Sequence, residues 1–392
     1  MAQRTIRLYL LLTLLTKLGG SFISATYVMF LISRGLNLFE VNLVNLIFFT
    51  TLFLSEIPTG AAADVFGRKT SFVISCFLYS AGMFIYAISY SFWGFALAEA
   101  AAAIGATFAS GAFQAWLVDQ LQYQNYKMPL GSVFAKEQQV THAAGILGAV
   151  AGAYLADRNT LLPWMTGGVI MFIAGILALV LIKEEYFVRQ NFHLKTSLQS
   201  MKDTIKTSIR YGIKSKAVKF ILVMGTLQYF AVQAPNMQWQ PFFSRFLSDK
   251  TSLGFVFAAI SVCLMAGSLL SSRFLKLMRH ETRALAISQI GIGIGIAATA
   301  LLASFPFALG LFLFQEIARG LFRPLKDMYL NENIPSKERA TLISFESMSH
   351  HAGGLIGLLF SGFFAEHTSI EATWVLSGII LVGTTLWLIK KK

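Results

Sequence analysis

Residues 137–157 read EQQVTHAAGILGAVAGAYLAD, and residues 346–366 read ESMSHHAGGLIGLLFSGFFAE. Both stretches are long, apolar and rich in small residues. The pairs that match at one constant offset are Glu137 and Glu346, His142 and His351, Gly145 and Gly354, Gly148 and Gly357, and Asp157 and Glu366. Ionisable residues inside apolar helices are costly, so their repetition is informative. The two stretches predict a chain built from two equivalent halves.

The rest of the chain is as apolar as these two stretches. Of its 392 residues, 55% are hydrophobic and 13% are charged, whereas a soluble domain has roughly 25% charged residues. One membrane crossing takes about 20 residues. Twelve apolar runs of sufficient length lie near residues 6–32, 41–63, 71–90, 92–118, 138–156, 161–182, 218–243, 253–274, 284–303, 305–328, 341–364 and 371–389. We therefore predict an all-α membrane protein with twelve transmembrane helices in two pseudo-symmetric six-helix halves, and neither a soluble enzyme nor a β-barrel, whose strands would alternate.

The positive charges are distributed unequally between the two sides of these runs. The net charge is +13, and most Lys and Arg residues lie in loops on the side of the N-terminus. The opposite side holds only Arg34, Arg158, Arg245 and Lys250. This asymmetry predicts a multi-pass membrane protein with both termini cytoplasmic. The basic charge is explained by topology and anionic lipid, so no nucleic-acid partner is expected.

The runs divide six and six around the longest polar stretch. We predict an N-terminal bundle over 1–182, a cytoplasmic amphipathic linker over 183–217 and a C-terminal bundle over 218–392. In the linker, apolar residues recur at helical spacing while Lys and Arg occupy another face, which is typical of a helix on a bilayer surface. The first run is too long for a signal-peptide core and is expected to be retained.

The loop after the second run carries a motif, Gly60-Ala-Ala-Ala-Asp64-Val-Phe-Gly67-Arg68-Lys69. It resembles the signature loop G-x-x-x-D-x-x-G-R-K of the major facilitator superfamily, at the position where that family carries it. We expect Gly60 to allow a close helix crossing and Gly67 to permit a tight turn. Asp64 is expected to bind a helix N-terminus, and Arg68 to pair with a carboxylate.

The resemblance implies a latch that stabilises one conformation of a transporter. We assign gating to the residues of this latch and to polar residues of spans five and eleven. The latch residues are Gly60, Asp64, Gly67, Arg68 and Lys69, and the residues of spans five and eleven are Glu137, His142, Glu346, His350 and His351. Glu346 and His350 are four residues apart and share a helix face. The second-half counterpart of the motif starts at Gly267 and lacks the acidic residue.

Two departures from the family bear on its chemistry. Many proton-driven exporters of the superfamily carry an Arg in span four, and this chain has none there. They also carry proline in span five, where this chain has Gly145, Gly148 and Gly152 but no proline. The sequence around Glu56 in span two and around Asp119 in span four is similar to bacterial twelve-helix efflux members.

In this superfamily, spans one, four, seven and ten line the central cavity. Polar residues there are the candidate substrate-binding groups: Lys17, Ser24, Gln114, Gln228, Gln233, Asn236, Gln240, Gln315 and Arg319. Span seven is expected to be broken by Pro235 and Pro241. Lys17 should reach Glu99, Glu316 or a ligand, since its own helix offers no partner.

Proton coupling is assigned first to Glu316 and second to Glu99. Glu316 lies near the middle of span ten, with Arg319 one turn away. Histidine titrates near neutral pH, so His142, His350 and His351 are alternatives, although hydrogen bonding in a gate is favoured for them.

The sequence thus predicts a secondary active transporter that exports small amphipathic compounds in exchange for protons. The alternatives are proton-coupled uptake of an organic anion or zwitterion, and a membrane sensor without transport. We expect a monomer with a small-molecule substrate, protons and the lipid bilayer as partners. The residues indicate no enzyme, cofactor or metal: there is no Walker loop, and Cys76 and Cys263 lie alone in separate spans.

Overall fold

The computed structural model describes residues 1–184, 186, 215–334 and 339–391. Over these residues the chain is helical with short turns and contains no strand, so the all-α prediction is confirmed. The predicted amphipathic linker lies almost entirely outside the described residues.

Fourteen helices are present in the described part of the chain. They are α1 (Ala2–Ser21), α2 (Tyr27–Ser33), α3 (Leu38–Phe66), α4 (Arg68–Ile88), α5 (Phe92–Ala109), α6 (Ala112–Tyr123), α7 (Gly131–Arg158), α8 (Leu162–Leu181), α9 (Lys216–Ser244), α10 (Thr251–Met278), α11 (Glu281–Ala300), α12 (Phe305–Asn333), α13 (Arg339–His367) and α14 (Ile370–Lys390). Every predicted apolar run coincides with one of these helices or with a consecutive pair. Counting α5 and α6 together, nine are long and apolar enough to cross a membrane, judged on the described residues.

Local sequence explains where several helices begin. The side chains of Ser91, Ser215 and Ser369 accept hydrogen bonds from backbone N–H groups at the starts of α5, α9 and α14. Such caps satisfy N–H groups that have no partner inside the helix. Proline stands in the first turns of α8 and α12, where its missing N–H costs nothing.

The first and fourth predicted spans are each interrupted. The turn 22–26 separates α1 from α2, and Ser110 and Gly111 separate α5 from α6. Gly111 has φ +71°, a left-handed conformation that favours glycine. By contrast, α9 runs without a break through Pro235 and Pro241, so the predicted break in span seven is wrong.

Contacts group the described residues into two compact units. Unit 1 holds the described residues of 1–36, 44–186 and 247–258, and unit 2 holds those of 37–43, 215–246 and 259–391. In unit 1, α1 packs on α7 and α8, while α4 packs on α5 and α8. In unit 2, α9 packs on α13 and α14, while α11 packs on α12 and α14. The order of helix pairs is the same in both units, which is the relation that the sequence repeat predicts.

Matched glycines lie at a close helix crossing in each unit. A Cβ on Gly148 would lie 2.8 Å from the carbonyl oxygen of Leu18 in α1. A Cβ on Gly357, the repeat partner of Gly148, would overlap the carbonyl oxygen of Phe230 in α9. Only small residues allow backbones to approach this closely. The glycines that recur at the same spacing in both copies of the repeat therefore allow the close packing of α7 and α13.

Candidate functional site

A polar centre in unit 2 joins α9 to α12. One guanidinium nitrogen of Arg319 donates to Asn236 Oδ1 at 2.7 Å and to Glu316 Oε1 at 3.3 Å. Gln315 Nε2 donates to the same Glu316 oxygen at 2.6 Å. Gln315 and Glu316 are buried, whereas the Arg319 side chain keeps 24% of its surface exposed. The centre therefore presents one partly accessible cation whose charge is balanced by a buried carboxylate.

Two acceptors of this centre have no hydrogen-bond partner in the described part of the chain. They are Glu316 Oε2 and Gln315 Oε1, both inaccessible to solvent. A buried acceptor without a donor costs about 1–3 kcal/mol. The polar centre therefore keeps two buried acceptors at an energetic cost.

The remaining amides predicted for span seven are more deeply enclosed than Asn236. Gln228, Gln233 and Gln240 are buried, and Asn236 is half-buried. Gln238, which we did not assign to the substrate, binds Ser361 and Trp374 inside unit 2. Asn236 is the span-seven amide that accepts a hydrogen bond from Arg319.

A second buried carboxyl lies in unit 1. Glu99 of α5 is 6% exposed. Its Oε1 accepts hydrogen bonds from the hydroxyls of Tyr27, at 2.6 Å, and Tyr86, at 2.5 Å. The ring of Tyr86 stacks on Trp164 with centroids 4.0 Å apart. Glu99 is therefore held by neutral donors from α2 and α4 within an aromatic wall.

The other predicted substrate residues of unit 1 are not gathered around Glu99. Lys17 is exposed, and tyrosine hydroxyls rather than Lys17 bind Glu99. Ser24 lies in the turn between α1 and α2. Gln114 Nε2 donates to Glu137 at 3.2 Å, which joins a predicted substrate residue to a predicted gating residue.

The loop between α3 and α4 has the predicted tight turn but a different anion. Gly67 has φ +90° and precedes the first residue of α4. The carboxylate of Glu184 accepts the backbone N–H groups of Arg68, at 2.8 Å, and Lys69, at 3.1 Å. Asp64 instead lies exposed in the last turn of α3. Glu184 thus occupies the helix N-terminus that we expected Asp64 to bind.

Arg68 pairs with a carboxylate, as its position in the motif suggests. Its Nε lies 2.9 Å from Asp119 Oδ2 of α6, and both side chains are about one-third exposed. The side chain of Trp116, also on α6, donates to the carbonyl oxygen of Lys183 at 3.0 Å. These contacts tie the start of α4, the end of α6 and the residues after α8 together within unit 1.

The helix crossing expected at Gly60 is found instead at its second-half counterpart. No described atom lies within 4 Å of the position that a Cβ on Gly60 would take. A Cβ on Gly267 of α10 would overlap the carbonyl oxygen of Ile317 and lie 3.0 Å from Gly320 in α12. The degraded copy of the motif therefore keeps the packing role of its first glycine.

The matched acidic residues of spans five and eleven have different partners. Glu346 forms a buried ion pair with Lys326 of α12, with Nζ and Oε1 2.5 Å apart. His350 stacks on Tyr229 of α9, with centroids 3.9 Å apart. His351 bonds to the Ser347 carbonyl of its own helix, and His142 is exposed. The repeat has thus preserved the residues but not their interactions.

A sequence model of the Major Facilitator Superfamily matches residues 9–245 and 220–392. The chain belongs to the Major Facilitator Superfamily. The transporter YxaM of Bacillus subtilis (strain 168), described as an uncharacterized MFS-type transporter, is 24% identical over 366 residues, which cover 92% of this chain and 89% of that protein.

Solved structures of the superfamily share the fold at low sequence identity. The nucleoside transporter NupG is 14% identical with a TM-score of 0.82, covering 99% of this chain and 100% of that chain. A bacterial homologue of the iron transporter ferroportin is 16% identical with a TM-score of 0.74, covering 98% of both chains. The chain therefore has the fold of superfamily transporters and is a multi-pass membrane protein.

Sequence reasoning missed several residues that complete these groups. They are Tyr27, Tyr86, Asp119, Glu184 and Lys326. Tyrosine in an apolar span gives no pattern of its own, and Lys326 looks like a flanking positive charge of span ten. Asp119 and Glu184 are acidic residues at the ends of apolar runs, a signal that could have suggested partners for Arg68.

No group of three or more His, Cys, Asp and Glu residues in the described ranges is arranged to hold a metal ion.

Proposed function

We propose that this superfamily member is a secondary active transporter that exports small amphipathic compounds in exchange for protons. Membership of a transporter family makes transport, rather than catalysis, the function to test. The observation that carries the proposal is the polar centre of Arg319, Glu316 and Asn236. It joins α9 and α12, the helices that correspond to cavity-lining spans seven and ten of the family.

The electrostatics of this centre suit a substrate without a large negative charge. Glu316 balances Arg319, so a bound compound meets a partly exposed guanidinium with little net charge. The guanidinium of Arg319 is the accessible group of this centre and would donate hydrogen bonds to a ligand. A small molecule with an apolar body and hydrogen-bond acceptors fits such a site.

Proton coupling follows from the presence of buried carboxyl groups in both units. Glu316 and Glu99 are nearly inaccessible to solvent. An ionised carboxylate is unfavourable at membrane depth, so each group gains from binding a proton in a suitable conformation. If such a group faced first one side of the membrane and then the other, proton movement would be linked to substrate movement.

The latch assigned to residues 60–69 would stabilise one conformation. Arg68 paired with Asp119, and Glu184 bound at the start of α4, are the contacts that support this role. The gating assignments of Glu137, Glu346, His142, His350 and His351 are retained, with Lys326 added to them as the partner of Glu346.

A second candidate is proton-coupled uptake of an organic anion or zwitterion. The observation in its favour is Lys17, an exposed cation on α1, which corresponds to a cavity-lining span. Among the described residues no carboxylate forms an ion pair with Lys17. An anionic substrate group would therefore bind Lys17 without displacing a carboxylate. A membrane sensor on the same scaffold would bind its ligand without moving it.

The distribution of Lys and Arg supports a cell inner membrane location with both termini cytoplasmic. We also propose two bundles, 1–182 and 218–392, joined by the linker 183–217, in a protein that works as a monomer.

Exchange across reconstituted vesicles distinguishes these functions. Purified protein in liposomes is preloaded with unlabelled probe, and the entry of radiolabelled probe is followed without a pH gradient. The probes are ethidium as an amphipathic cation, leucine as a zwitterion and p-aminobenzoate as an organic anion. The export proposal predicts exchange of ethidium in protein-containing vesicles only. Exchange confined to leucine or p-aminobenzoate would favour the second candidate, and saturable binding without exchange would favour a sensor.

A further inference from the structure

Glu99 and Glu316 differ in the charge of their partners. Glu316 receives a hydrogen bond from the cation Arg319. Among the described residues, no Lys, Arg or His forms an ion pair with Glu99. Its two donors are the neutral hydroxyls of Tyr27 and Tyr86.

This difference decides which carboxyl can change its charge at low cost. Protonation of Glu316 would leave the largely buried Arg319 guanidinium without its counter-ion, and a largely buried charge without a counter-ion is unfavourable. Protonation of Glu99 removes a buried charge and leaves none behind. Glu99 is therefore the carboxyl better placed to alternate between its two forms.

The groups that face Glu99 come from several helices and are all neutral. Tyr27 is contributed by α2, and Tyr86 and Tyr79 by α4. Asn45 of α3 hydrogen-bonds to Tyr27, and Trp164 of α8 lies against both donor rings. The two hydroxyls donate to one carboxylate oxygen, so these hydrogen bonds favour the ionised form, whereas burial favours the protonated form.

The position of Tyr27 gives this arrangement a movable part. Tyr27 is the first residue of α2, a seven-residue helix that follows the interruption at 22–26. A short helix next to a break can shift without distorting α1. Withdrawal of the Tyr27 hydroxyl would remove one of the two hydrogen bonds to Glu99, and its return would restore that hydrogen bond.

We propose that Glu99 takes up and releases the coupling proton, and that Tyr27 and Tyr86 control this exchange by hydrogen bonding to the carboxylate. Uptake adds one proton from water to a Glu99 oxygen and converts the carboxylate to a neutral carboxyl. Release returns that proton to water when both hydroxyls donate again. The proposal rests on the proposed proton-coupled transport and assigns Glu316 to a fixed pair that orients Arg319.

Infrared difference spectroscopy of the full-length protein in liposomes tests the assignment without a substrate. The C=O band of protonated carboxyl groups is recorded over a pH series. We expect a titrating band that is present in wild type, lost in Glu99→Gln and retained in Glu316→Gln. A full wild-type band in Glu99→Gln would overturn the proposal, as would loss of the band in Glu316→Gln alone.

A tyrosine series keeps the test valid if Glu99→Gln does not fold. Tyr27→Phe and Tyr86→Phe each remove one donor, so the protonated band should persist to higher pH in both variants. Tyr9→Phe is the matched control, because Tyr9 is also a buried tyrosine of unit 1 but is not one of the two donors to Glu99. Unchanged titration in Tyr27→Phe and Tyr86→Phe would contradict the proposal. Failure of the transport function would be visible separately, as a wild-type protein with the Glu99 band but without proton-driven flux.

Discussion

Lys326 and Glu346 form an ion pair in which both side chains are about nine-tenths buried. The pair joins α12 to α13 in unit 2, with Nζ and Oε1 2.5 Å apart. Removal of one member leaves the other charge uncompensated, whereas removal of both does not.

We therefore expect Lys326→Met or Glu346→Gln alone to destabilise the protein by about 3–5 kcal/mol, and the double variant to recover much of that loss. The measurement is thermal unfolding of the purified protein in detergent. Asp327→Asn is the matched control, because Asp327 also lies near Lys326 but is 53% exposed. Additive losses in the double variant would show that the two residues do not act as a pair.

The anion at the start of α4 leads to a second prediction. Loss of a helix cap costs about 0.5–2 kcal/mol. Glu184→Gln should weaken protection of the amides at the start of α4, measured by hydrogen exchange, while Asp64→Asn should leave it unchanged. Loss of protection in Asp64→Asn but not in Glu184→Gln would return the capping role to Asp64.

The glycines at matched positions of the two motif copies lead to a third prediction. Gly267→Val would force α10 away from α12, because even a Cβ overlaps the Ile317 carbonyl. Gly60→Val places its side chain where no described atom lies within 4 Å. Expression of correctly folded protein, followed by size-exclusion chromatography, should fail for Gly267→Val and succeed for Gly60→Val. The opposite result would place the close crossing at Gly60.

Acid should release the carboxylate at the end of α7. Asp157 accepts the backbone N–H groups of Lys250, at 2.5 Å, and Thr251, at 2.8 Å, at the start of α10 in unit 1. Partial burial acts to raise the pKa of Asp157, but the hydrogen bonds from Thr251 and from these N–H groups outweigh it and lower the pKa below its ordinary value.

A depressed pKa means that Asp157 stabilises the fold above its unfolded-state value near 4, and that this contribution is lost as the pH falls through its lower folded-state pKa. Hydrogen exchange of the Lys250 and Thr251 amides, corrected for the intrinsic rate, should therefore lose protection at acid pH. In Asp157→Asn the protection should be lower at neutral pH and should not change on acidification. The same acid response in Asp157→Asn would assign it to another group.

The fold could be predicted from the sequence because its determinants are patterns of many residues. Apolar runs define the helices, and the repeat around Gly148 and Gly357 predicts which helices cross closely. The exceptions were local. No proline marks the interruption at 22–26, and the prolines at 235 and 241 do not break α9.

The candidate site was predictable only in part, because it depends on pairs of residues far apart in the sequence. Arg319 and Glu316 share a helix and were recognised together. Asn236 was named, but nothing in the sequence gave its contact with Arg319. Tyr27 and Tyr86 become relevant only when three helices place their hydroxyls on one oxygen of Glu99, and Glu184 only when the end of α8 meets the start of α4.

The central claim is that this protein moves a small molecule against its gradient at the expense of a proton gradient. The direct measurement is accumulation of ethidium in proteoliposomes with an imposed pH gradient, acidic inside. Wild-type protein should concentrate ethidium in the lumen while the lumen becomes more alkaline, and dissipation of the gradient by a protonophore before ethidium is added should abolish the accumulation. Ethidium that only equilibrates across the membrane, at the same rate with and without the gradient, would contradict the account.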